Sequence, residues 1–87
     1  MPQAASMQVP APRQMTPQLS ANNFNQFVFS SGRPALVEFY ADWCGACRNF
    51  QPKFEMIASG LQQYDVGCGR VNIDTDRDLA IQYGIQK

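Results

Sequence analysis

The run Phe39-Tyr40-Ala41-Asp42-Trp43-Cys44-Gly45-Ala46-Cys47 decides how this chain is read. A strand-like apolar stretch ends in a tryptophan and delivers two cysteines separated by two residues. Such a dithiol opens and closes as a disulfide. Where a strand gives way to a helix, the first sulfur meets unpaired backbone N–H groups and the positive end of the helix dipole. That setting favours thiolate over thiol and can lower a cysteine pKa from about 8.5 to roughly 3.5–7.5. Cys44 is therefore the candidate attacking sulfur. Cys47, one helical turn on and less exposed, is the resolving thiol.

A C-x-x-C pair is also half of many four-ligand zinc sites. Here the other half is missing. The only further cysteine is Cys68 and there is no histidine, so no metal site is predicted and no cofactor is required. A structural disulfide is a poor fit for a pair set between a tryptophan and a helix.

Working outward, Ala35–Tyr40 is an almost continuous apolar run, the pattern of a parallel strand covered on both sides and lying inside a sheet. Upstream, Ser20 can cap a helix through Ser31 whose Phe24, Phe27 and Val28 share a face, with Gly32 and Pro34 as its stop. A first strand over Gln14–Leu19 must be an edge strand to tolerate Pro17. Downstream, the helix that begins at the dithiol carries Phe50, Phe54, Ile57 and Leu61 as an apolar stripe, and Pro52 kinks it. Gly69–Ile73 reads as the next strand. Asp74, Thr75 or Asp76 can cap a last helix through Leu79, Ala80 and Tyr83 that ends at Gly84. With right-handed crossovers, the strand from Gly69 lies between the first strand and Ala35–Tyr40.

In 87 residues there is room for one domain, and seven basic against seven acidic residues give no electrostatic case for nucleic acid or an anionic membrane. No apolar run is long enough to span a bilayer. Residues 1–18 lack the apolar core of a secretory signal and read as a flexible leader. Arg13 without any acidic residue leaves the remains of a transit peptide as the other reading. The folded unit is then expected over residues 19–87.

From about Leu19 to Gln86 the chain resembles the front part of a thioredoxin-family domain. The likeness runs through Leu36-Val37-Glu38-Phe39-Tyr40-Ala41-Asp42-Trp43-Cys44-Gly45-Ala46-Cys47, Pro52, Val71-Asn72-Ile73-Asp74 and Tyr83-Gly84-Ile85. It spans several elements in register, and its wording is also similar to protein disulfide isomerase domains. The resemblance implies an α/β thioredoxin-like fold, of which this chain holds the N-terminal βαβαβα portion. The cis-proline loop, antiparallel hairpin and final helix are expected to be missing, which leaves strand Ala35–Tyr40 with an open edge. The roughly seventy residues after the leader form a small core of about 3–5 kcal/mol, to be completed by a partner or by more of a longer protein.

The implied function is thiol–disulfide oxidoreduction, with Cys44 and Cys47 as the redox pair and Trp43, Gly45 and Ala46 on the substrate-facing surface. Gly45-Ala46 is neither the Gly-Pro of thioredoxins nor the Gly-His of disulfide isomerases, so the direction of the reaction stays open. Glu38 falls on a buried strand, where a carboxylate is costly unless neutral, paired or hydrated. By resemblance it moves the proton of the resolving cysteine. A Glu38–Arg70 ion pair that only fills the interior is the other reading. Arg70 stands where the family usually has lysine, and Pro52 has a counterpart in the family's kinked helix. Arg48 can favour the thiolate or simply be solvated, Trp43 can meet substrate or pack the loop, and Cys68 is a small buried residue or a regulatory thiol.

The implied partners are proteins with disulfides, a recycling reductant or oxidant, and a protein that covers the open sheet edge. The second function class is a shortened interaction module whose dithiol is vestigial or a staple. Cysteine usage fits cytoplasm or an organelle, and equally a lumenal or periplasmic compartment.

Overall fold

The computed structural model describes residues 15–85. In chain order it holds β1 (Gln18–Leu19), α1 (Phe24–Val28), β2 (Ala35–Tyr40), α2 (Gly45–Leu61), a 3-10 turn (Gln62–Tyr64), β3 (Gly67–Asn72) and α3 (Arg77–Gln82). The three strands form one parallel sheet in the expected order β1-β3-β2. This is the expected βαβαβα architecture of an α/β thioredoxin-like fold. Most of the leader expected over residues 1–18, and Gln14 as the start of the first strand, lie outside the described residues.

Alternation along the strands sorts side chains to two faces. On one face Leu19 and Val71 are fully buried and meet Phe24 of α1 and Leu79 of α3, with Phe27, Val28, Val37 and Phe39 packed around them. Gly69 lies in this layer because a Cβ there would come within 2.5 Å of Leu19 Cδ1. On the opposite face Phe54 and Ala58 of α2 cover Cys68. A third cluster, Ala41, Ile73 and Ala80, closes the C-terminal end of the strands, and Cys44 packs against it.

Several local expectations are revised. Strand β2 matches Ala35–Tyr40 and is the edge of the described sheet, as the open-edge expectation had it, so the expectation of a strand inside the sheet and covered on both sides does not hold: Leu36 is 42% exposed. With β3 on one side and no described strand on the other, its apolar run has only part of its cover. The stripe on α2 is also rotated. Phe54 is buried and Leu61 partly so, but Phe50 and Ile57 are 39% and 42% exposed and Ala58 takes their place in the core. At about 100° per residue, Phe50 and Ile57 sit roughly 40–60° round the helix from Phe54, on the side away from Ala58. Ala58, small enough for close approach, faces Cys68.

Helix α1 is shorter than Ser20–Ser31. The Ser20 hydroxyl accepts the Asn22 N–H at 3.3 Å and the Asn23 carboxamide accepts the Ser20 N–H at 2.7 Å, so two bonds from Ser20 hold the entry before the helix begins. Strand β3 starts two residues earlier than Gly69. Asp76 is the N-cap of α3, yet its side chain does not cap it. The turn is instead held by Asn72 Oδ1, which accepts the N–H of Asp74 and Thr75 at 2.8 and 3.3 Å.

The candidate redox site

Strand β2 ends at Tyr40, and the chain turns through buried Ala41 and exposed Asp42 and Trp43 into α2. The turn is pinned at both ends: the Ala41 carbonyl accepts the Cys44 N–H at 3.1 Å and the Tyr40 carbonyl accepts the Ile73 N–H at 2.8 Å. Cys44 is the N-cap of α2 in extended conformation. Its sulfur accepts the Cys47 backbone N–H at 3.1 Å, taking up one of the free N–H groups of the first turn. Cys44 and Cys47 are paired as a disulfide with Cα atoms 5.2 Å apart. Both are half-buried, and Gly45 and Ala46 between them are exposed.

Trp43 is 58% exposed, but it is not free to swing. Its indole N–H donates to Asp74 Oδ2 at 2.7 Å, tying the dithiol turn to the loop that follows β3. Arg48 donates to the Asp42 carbonyl and so braces the same turn from the first turn of α2. Pro52 lies exposed within α2, where its missing N–H leaves the Arg48 carbonyl without its usual helical partner.

A pocket of about 340 Å³ opens beside Cys47, lined by Tyr40, Ala41, Asp42, Arg48, Gln51 and Arg70. Register sets its floor. Glu38 and Arg70 are partners across β2 and β3, and the Arg70 Nε donates to Glu38 Oε1 at 3.3 Å. The guanidinium lies 3.9 Å from the centre of the Tyr40 ring, and the Tyr40 hydroxyl donates to Gln18 Oε1 at 2.8 Å. Arg70 is thus held from two sides, and it, not Glu38, faces the pocket that Cys47 lines.

Of the residues singled out from sequence, Cys44, Cys47, Trp43, Gly45 and Ala46 come together at one end of the sheet. Arg70 joins them through the pocket, Glu38 stands behind Arg70, and Pro52 lies farther along the helix. Cys68 is buried under Phe54 and Ala58, and burial pushes its thiol up from the usual cysteine value, with Arg33 pulling the other way. Sequence reasoning missed Asp74 as the anchor of Trp43, having read it only as a helix cap. It also missed Gln51, whose position four residues after Cys47 was the available signal.

Residues 15–87 match the thioredoxin family. The chain belongs to that family. It is 41% identical over 70 residues to protein disulfide-isomerase tigA of Aspergillus niger, covering 78% of this chain and 20% of that protein. To mouse protein disulfide-isomerase A6 it is 42% identical over 69 residues, 79% of this chain and 16% of the relative. The chain thus spans about a fifth or less of the length of these curated relatives. Among solved structures it superposes on the Trx4 domain of ERdj5 with a TM-score of 0.77 at 32% identity, covering 84% of this chain and 63% of that one. The first thioredoxin domain of mouse protein disulfide-isomerase A4 gives 0.73 at 33% identity, with 80% and 51% covered. None of the described helices of this thioredoxin-family chain is long and apolar enough to cross a membrane.

Proposed function

We propose that the chain is a thiol–disulfide oxidoreductase module acting on protein disulfides, with Cys44 as nucleophile and Cys47 as resolving thiol. One observation carries the reading: Cys44 caps α2 with its sulfur already accepting the Cys47 N–H, an environment that stabilises a thiolate. The Cys44 thiolate attacks one sulfur of a substrate disulfide, that S–S bond breaks, and one substrate sulfur leaves as a thiolate and takes up a proton. Cys47 then gives up its proton and attacks Cys44 Sγ, releasing the second substrate thiol and leaving the Cys44–Cys47 disulfide. Two electrons have moved to the substrate, and an external dithiol restores the pair. Run backwards, the same steps form disulfides.

Glu38 is the proposed final acceptor of the Cys47 proton, reached through the pocket beside Arg70, which is large enough to hold water. Trp43, Gly45 and Ala46, exposed around the dithiol, are the proposed docking surface for an unfolded or partner polypeptide. The relatives are named protein disulfide-isomerases, which supports protein disulfides as substrates and an oxidising, lumenal address. The test is the rate at which the purified chain, under limiting dithiol, reduces a protein disulfide, beside its Cys44→Ser variant. A rate at the level of that variant and of the dithiol alone removes the reading.

The open edge of β2 supports the interaction-module reading as the second possibility: among the described residues no strand pairs with it, and exposed Leu36 flanks it. Strand addition there by a partner protein is compatible with a working dithiol.

A further inference from the structure

Gln51 holds an acceptor that no described residue uses in the disulfide form. Its Nε2 donates to Glu55 Oε2 at 2.8 Å, and the same carboxylate oxygen accepts the hydroxyl of buried Thr16. A carboxylate only accepts, so the carboxamide has one orientation, nitrogen toward Glu55 and Oε1 turned away from it. Oε1 is shielded from solvent and has no hydrogen-bond partner among the described residues. A buried, unpaired acceptor is costly and calls for an explanation.

The explanation lies one turn back. Cys47 and Gln51 are i and i+4 on α2, on one face of the helix, and both line the pocket beside the dithiol. In the disulfide the Cys47 sulfur has no hydrogen to give. In the dithiol it has one. We infer that Gln51 is a positioning residue whose Oε1 accepts the S–H of Cys47 in the reduced chain. It holds that sulfur as the neutral, waiting thiol while Cys44, on the free N–H groups of the helix, carries the negative charge. The inference deepens the oxidoreductase reading and rests on it for its biological meaning.

Other groups act on the same thiol, and all but Glu55, which loses the Gln51 amide N–H, keep their partners when Gln51 alone is changed. From β2 these are Tyr40 and, behind Arg70, Glu38; from β3, Arg70; from the turn, Asp42 and Cys44; from α2, Arg48 and, beyond Gln51, Glu55. Both arginines favour thiolate, so the Gln51 acceptor opposes them by favouring the thiol. A single neutral hydrogen bond corresponds to about three- to tenfold in thiol acidity.

The experiment follows the Cys47 Cβ carbon by NMR during pH titration of the reduced 87-residue chain, in a Cys44→Ser background that removes coupling between the two thiols. Gln51→Met, similar in shape but without the amide acceptor, should make Cys47 about three- to tenfold more acidic. In the two-cysteine chain it should move the equilibrium with glutathione toward the disulfide by a similar factor. Thr16→Val, which leaves Gln51 held by Glu55, should change neither. In the wild-type chain the Gln51 side-chain carbonyl carbon should shift on reduction and should not shift when Cys47→Ala is put through the same reduction conditions, a readout that needs no Gln51 variant to fold. An unchanged Cys47 titration in Gln51→Met, or a carbonyl indifferent to reduction, overturns the inference. Neither result depends on turnover, so a chain that fails to reduce protein disulfides fails separately.

Discussion

Replacing Arg70 with leucine tests how the floor of the site is held. Glu38 and Arg70 keep only 10% and 22% of their side chains exposed, so water screens their contact weakly. Removing one partner of such a pair costs about 3–5 kcal/mol because the other charge is left without its counter-ion. The contact is a single Nε–Oε1 bond at 3.3 Å rather than a two-bond fork, which points to the lower end. Loss of the guanidinium over the Tyr40 ring adds up to about 1 kcal/mol. Arg70→Leu should therefore cost about 3–4 kcal/mol, close to the whole stability of a core this small. Glu38→Leu should cost about 1 kcal/mol, since the long arginine can turn its head to water. The two positions are paired in register, so the double variant sets leucine beside leucine and should return to within about 1 kcal/mol of wild type. Urea unfolding of the four chains, followed by circular dichroism, gives the coupling. A coupling below about 0.5 kcal/mol refutes the reasoning, and Glu38 and Arg70 would then be independent, solvent-facing charges.

The rotated stripe on α2 predicts that Phe54→Ala loses about 3–5 kcal/mol, whereas Ile57→Ala stays within about 1 kcal/mol; equal losses in urea melts would restore the stripe read from spacing. Asp74→Ala releases the Trp43 indole N–H, and should shift Trp43 fluorescence and raise KM for a protein disulfide severalfold while the alkylation rate of Cys44 is unchanged. Buried Cys68 has its thiol raised, so iodoacetamide should label it in the folded, reduced chain far more slowly than Cys44, and at comparable rates only in denaturant. The sign for stability follows. The folded state resists ionising Cys68, so this contribution is intact below the unfolded thiol's value of about 8.5 and declines as pH rises above it. The difference in melting temperature between wild type and Cys68→Ala should be constant below that pH, set by the lost buried sulfur, and should shift against the wild type above it.

Local patterns carried most of what could be known from the chain alone. The strand Ala35–Tyr40, the helix opening at the dithiol, the β1-β3-β2 order and the family were all legible. Each depends on short-range periodicity, on cysteine spacing, or on the handedness of crossovers, and these are properties of neighbouring residues. The Glu38–Arg70 contact was legible as one of two readings because the strand order brings those positions together. Tertiary structure decided the rest. Only the packing of α2 on β3 showed that Ala58, not Ile57, meets Cys68, because helix rotation depends on the shape of the surface beneath. Only the docking of the loop after β3 made Asp74 the anchor of Trp43, residues 31 apart in sequence. And only the carboxylate of Glu55, itself engaged by Thr16, turns the Gln51 amide and leaves its oxygen without a partner among the described residues. A hydrogen bond's direction is set by who else is present, and that is known only once the chain is folded.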